Sequence, residues 1–139
     1  MNNNKIEKIK ELVIEARDLV EEFSNESCAI GEPTVREVSI SEDGLSLVVE
    51  LNFYNTDMEY GIAEVSSIFA EEMEGFGPCP AGFYEGFGYA VDALEDEFEN
   101  KTKKEFIEHA GELYYAKYRC EAIYKRLEQI EREAAKLIK

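Results

Sequence analysis

The chain has 139 residues, with 31 acidic against 15 basic side chains and a formal charge of −16 at neutral pH. Its length suits one domain with a sizeable core and is short for two, while 45% hydrophobic residues set it apart from acidic chains too polar to fold. A balance this acidic argues against direct nucleic-acid binding, because phosphate neutralisation by Lys and Arg supplies most of that affinity, and it points instead to basic partners.

Over residues 4–23, Ile6, Ile9, Val13, Ala16, Val20 and Phe23 recur every three or four positions, which predicts an amphipathic helix. Lys8 and Lys10 near its start and Asp18, Glu21 and Glu22 near its end oppose the helix dipole, so packing has to hold it. Residues 24–33 read as a loop broken by Gly31 and Pro33. A β-hairpin is expected over 35–54. Val38 and Ile40 alternate with Glu37 and Ser39, Glu42-Asp43-Gly44 makes the turn, and Leu45, Leu47, Val49, Leu51 and Phe53 share the returning face. The opposite face, with Ser46, Val48, Glu50, Asn52 and Tyr54, is only partly polar.

Asn55-Thr56-Asp57 reads as the cap of a second helix over 57–74, with Ile62, Val65, Phe69 and Met73 as its apolar stripe. A loop follows from Gly75 to Gly82, where Glu-Gly-Phe-Gly occurs at 74–77 and again at 85–88. Phe83, Phe87, Val91, Leu94 and Phe98 then predict a third helix, starting between Gly82 and Tyr89. Thr102-Lys103-Lys104-Glu105 is a capping box that opens a last helix over 102–139. In it Ala116, Cys120, Ile123, Leu127, Ile130, Ala134 and Leu137 form a heptad seam, which needs either the first helix or a second copy of the chain as partner. The expected fold is α+β within one domain over 1–139: an antiparallel β-hairpin packed with about four helices, the C-terminal one long.

Cys28, Cys79 and Cys120 are scattered and odd in number, so neither a disulfide framework nor a zinc site is indicated. With no signal-peptide core and no apolar run near a membrane span, a soluble cytoplasmic protein is expected.

The charge is strongly segregated. Residues 37–100 carry sixteen carboxylates and no Lys or Arg, although the chain average would place about seven bases there; the flanks cancel, with eight acids against five bases before it and seven against ten after it. A face serving solubility normally mixes both signs, so the block favours a binding role. Asp92, Glu95, Asp96, Glu85 and Glu99 lie along one side of the third predicted helix, with neighbours roughly 5–6 Å apart, a spacing comparable to that of successive phosphates. The expectation is a non-enzymatic protein that occupies the phosphate-binding site of a basic, nucleic-acid-binding enzyme. Contacts would come from Glu71, Glu72, Glu74, Glu85, Asp92, Glu95, Asp96 and Glu99, with Tyr84 and Tyr89 as anchors. In size and charge the chain resembles small inhibitors encoded by phages and mobile elements, including anti-restriction and anti-CRISPR proteins. That resemblance implies an anti-defence role.

Other chemistries fit less of the sequence. Glu42-Asp43-Gly44 offers no calcium loop. Glu71-Glu72-Met73-Glu74 begins like the EExxE box with which nucleotide pyrophosphohydrolases of the MazG type hold Mg²⁺; it departs at Gly75, and Asp92-x-x-Glu95 reverses that family's downstream ExxD. The partial resemblance implies a Mg²⁺-dependent hydrolase as the enzyme alternative, with Glu71, Glu72, Asp92, Glu95 and Asp96 as ligands. Cys79 and His109 would make a nucleophile–base pair only if folding joined them. The glycines match no nucleotide-binding loop, although the aromatic-rich stretch 75–89 suits a small ligand, and Tyr114, Tyr115 and Tyr118 cluster on the last helix. No cofactor or resident metal is expected.

Overall fold

The computed structural model describes residues 3–27, 35–51, 57–70, 81–97 and 101–138. The N-terminal apolar stripe folds as α1 (Asn3–Ser27), which buries Ile9, Val13, Ala16, Val20 and Phe23. The long helix is α4 (Lys103–Ile138), 36 residues, or about 54 Å at 1.5 Å per residue. Thr102 caps it: the Glu105 amide donates to Thr102 Oγ1 at 3.2 Å. The helix continues through Gly111 without a break.

The α4 seam finds its partner within the chain. Ala116, Cys120, Ile123, Leu127, Ile130 and Ala134 are buried in one core with the α1 stripe. Glu22 pairs with Arg119 and Glu15 with Arg126. These partners step one heptad along each helix in opposite chain directions, so α1 and α4 run antiparallel. Arg126 donates to both Glu15 oxygens, at 2.5 and 2.8 Å, and reaches Glu133 at 3.3 Å. The hydrogen bonds from Arg126 hold the Glu15 carboxyl below the ordinary carboxylate range, against the opposing effect of burial, and Glu15 in turn raises Arg126.

The sheet has strand order β1-β2-β3 and is antiparallel throughout, with β1 (Val35–Ile40), β2 (Ser46–Leu51) and β3 (Asp57–Gly61). Its inner face carries Val38, Leu47, Val49 and Tyr60 into the core. The β1–β2 turn is tied by Asp43, whose carboxylate accepts from the Ser41 hydroxyl at 2.6 Å and the Leu45 amide at 3.0 Å. Gly44 takes the positive φ of 78° that this turn demands. Between Val35 and Glu37 the register slips by one residue, so Arg36 is extra, and both Arg36 and Glu37 are exposed.

The expected helix over 57–74 is overturned for its described part. Residues 57–61 form a strand, because Met58 and Tyr60 alternate with Asp57 and Glu59 and the free edge of β2 has backbone groups to satisfy. Asp57 therefore caps nothing and pairs with Glu50. Ile62 and Val65 are buried as expected, but on a 3-10 turn (Ile62–Glu64) and the link to α2 (Ser67–Ala70), a single turn that buries Ile68. The Glu131 carboxylate on α4 accepts from the Ser66 amide at the start of that turn. The third predicted helix is α3 (Ala81–Asp96), which begins one residue before the expected range and includes Gly82, Gly86 and Gly88. Among the described residues three helices exceed one turn, not about four, and the hairpin is enlarged to three strands. No helix among them is long and apolar enough to cross a membrane.

Glu15 titrates below its ordinary value of 4.5, so the stability it contributes is present above that value and lost as pH falls through the lower folded value. Arg126→Met is expected to lower the unfolding free energy by at most about 1 kcal/mol at neutral pH, given the partial exposure of both partners. The gap from the parent protein should close as pH falls below 4.5 and through the lower folded value of Glu15, as read from urea unfolding across pH.

Candidate acidic interface

Helix α3 is apolar on one side and acidic on the other. Phe87, Val91 and Leu94 recur at helical spacing; Leu94 is buried, and the Phe87 ring meets Tyr114 of α4 edge-on, with centroids 5.2 Å apart. Lys117 Nζ lies 5.2 Å from the Phe87 centroid, within reach of a cation–π contact. With that side on α4, Asp92, Glu95 and Asp96 are exposed, and so is Tyr89 at 67%. Gly88 beside Tyr89 leaves the backbone open, with nothing within 4 Å of where a Cβ would stand. The result is an aromatic ring beside three carboxylates at i, i+3 and i+4 spacing, a surface suited to guanidinium and ammonium groups.

Between α3 and α4 lies an open cleft of about 350 Å³ lined by Ala90, Ala93, Leu94, Glu97, His109, Glu112 and Leu113. Glu97 is tethered to Lys101 at 3.8 Å. His109 stands exposed on this rim. Cys120, by contrast, is buried inside the seam and in no disulfide.

Of the sequence-derived candidates, the fold brings Tyr89, Asp92, Glu95 and Asp96 together on the outer side of α3. Tyr84 and Glu85 sit on the N-terminal part of that helix, with their side chains outside the described residues. Glu71, Glu72, Glu74 and Glu99 lie outside the described residues, as does Cys79. Among the described residues no group of three or more His, Cys, Asp or Glu side chains is arranged to hold a metal ion.

Sequence reasoning missed a second acidic surface, on the outer face of the sheet. Glu37 pairs with Glu50 and Glu50 with Asp57, so three carboxylates cross the strands in one row at the roughly 4.8 Å strand spacing. Glu59 follows in the next row, opposite Val48. The bulge sets Arg36 beside this row, where it reaches Glu50 at 3.1 Å. The hairpin turn brings the first two members together and is readable in the sequence. The third is hidden there because it requires Asp57 to lie in a strand.

Comparison with protein families, characterised proteins and solved structures finds no match. What these surfaces do has to follow from their own chemistry.

Like charges directly opposite on neighbouring strands are destabilising by a few tenths to about 1 kcal/mol. Glu37→Gln is therefore expected to raise stability by about 0.5 kcal/mol at low salt, with the gain fading as salt screens the row. Urea midpoints at two ionic strengths check this.

Proposed function

We propose that this protein is a non-enzymatic binding protein that presents the outer side of α3 to a basic, nucleic-acid-binding protein and occupies that partner's phosphate site. The observation that carries the reading is where the bases go. Arg119 and Arg126 are engaged by α1 through Glu22 and Glu15, and Arg36 by Glu50, while Asp92, Glu95 and Asp96 stand exposed with no ion pair among the described residues. Carboxylates left in water without counter-charges lose little Coulomb energy there, and they gain when arginine forks dock on them in a partly dehydrated interface. Tyr89 adds an anchor with few rotatable bonds.

An anti-defence inhibitor of a nucleic-acid enzyme, of the anti-restriction or anti-CRISPR kind, is the biological role this chemistry fits. Binding of this kind is steered by long-range charge, so association slows steeply as salt rises.

The test is capture of basic proteins on the immobilised chain, from a lysate fraction that binds heparin, with low- and then high-salt washes and nuclease treatment in parallel. A nucleic-acid-binding protein retained at low salt, released at high salt and indifferent to nuclease is expected. The triple variant Asp92→Asn, Glu95→Gln, Asp96→Asn should lose at least about tenfold in affinity, in line with removal of several charge-assisted contacts. Salt-insensitive retention, or full binding by the triple variant, would sink the reading.

A further inference from the structure

The core-facing seam of α4 is occupied by α1, yet the opposite side of the same helix carries a second seam. Ile107, Tyr114 and Tyr118 are 58%, 58% and 68% exposed, Tyr114 keeping that exposure although one edge of its ring meets Phe87 of α3, and with Gly111 they recur at four-three-four spacing, the repeat of a helix that packs along another helix. Tyr115, also 58% exposed, flanks them. At Gly111 a Cβ would meet nothing within 4 Å, so the stripe has a gap at its middle bordered by large rings.

Charge sets this stretch apart from the acidic block over 37–100. Residues 103–121 hold four acids and four bases, so it is a locally neutral surface on a strongly acidic protein, and a second copy can approach it with less repulsion than at the acidic block. The flanking charges are also opposite at the two ends. Lys103 stands before the stripe and Glu121 after it. They are eighteen residues apart, which is five turns at 3.6 residues per turn, so they lie on the same side of the helix. Lys103 has no ion pair within the chain among the described residues. Glu121 meets Lys117 through one carboxylate oxygen at 3.3 Å, and a carboxylate has capacity for a second donor.

We infer that this stripe is a self-association surface on which two copies of α4 pack antiparallel about a two-fold axis near Glu112. A two-fold operation perpendicular to the helix pair keeps each residue on its own side and reverses chain direction. Lys103 of one copy then meets Glu121 of the other, twice over. In the same register, to within one residue, the open side of Gly111 faces Tyr114 of the second copy and Ile107 faces Tyr118. A parallel pairing would instead oppose lysine to lysine and glutamate to glutamate. Three tyrosines and one isoleucine per copy, each more than half exposed, bury on the order of 1,000 Å² between two chains, the lower limit for a specific interface. The dimer is therefore weak, and the charge of −16 on each chain opposes it at long range.

Sedimentation equilibrium of the purified full chain over a wide concentration range tests this. It needs no partner, so its failure is separate from failure of the proposed function. The parent protein is expected to show a reversible monomer–dimer equilibrium. Lys103→Glu and Glu121→Lys should each weaken it by about fivefold, since each replaces two attractions by two repulsions at a partly exposed site, and the double variant should restore it. Tyr118→Glu should abolish it while circular dichroism stays unchanged. A monomer at every concentration, a dimer indifferent to both single variants, or a double variant no better than either single one would overturn the inference.

Discussion

The antiparallel packing of α1 on α4 is the constraint on which the rest of the structure depends. A three-stranded sheet with Leu47, Val49 and Tyr60 on its inner face needs apolar cover, which α1 lays on the strands while α4 closes over α1 and the 3-10 turn. Small residues on the facing stripes, Ala16 on α1 and Ala116 and Ala134 on α4, are all fully or nearly fully buried. The Arg126–Glu15 and Arg119–Glu22 pairs fix the register from the flank of the seam. Because α4 has 36 residues and α1 only 25, the antiparallel match leaves the first part of α4 beyond the end of α1. Helix α3 takes that position, through Phe87 and Leu94.

Charge placement follows from this arrangement. Two arginines of α4 are held by carboxylates of α1, which leaves the middle of the chain to display its acids outward. Some of that display works against stability: Glu37, Glu50 and Asp57 stand in one cross-strand row with Arg36 as the nearby base. A sequence selected for stability alone would alternate signs there. The row is therefore a place where the chain retains self-repulsion at a modest cost to the fold.

Much of this is legible in the sequence. The three-four spacing of Ile9 to Phe23 and of Ala116 to Ala134 identifies two helices with matching seams, and Glu42-Asp43-Gly44 between alternating strands identifies the hairpin. The exposed acidic side of α3 follows from placing Phe87, Val91 and Leu94 inward. What escapes depends on long-range pairing. Residues 57–61 offer only Met58 and Tyr60 as alternating apolar positions, too short a run to outweigh a cap-like Asn-Thr-Asp and the later Ile62 and Val65, so the local pattern favours a helix where β3 forms. The acidic row across the sheet follows from strand register, and the choice between α1 and a second copy as partner of the α4 core seam follows from chain reversal. Periodicity along one segment reports neither.

The central claim is that carboxylates of α3 stand in for phosphates, and competition tests it most directly. A captured basic partner would be titrated with this protein while bound to a fluorescent oligonucleotide at a series of salt concentrations, and the released fraction read by anisotropy. Full displacement, with an apparent affinity that falls in parallel with that of the oligonucleotide as salt rises, is the predicted result. A ternary complex in which the oligonucleotide stays bound would contradict it, and would place the acidic surface on some other part of the partner.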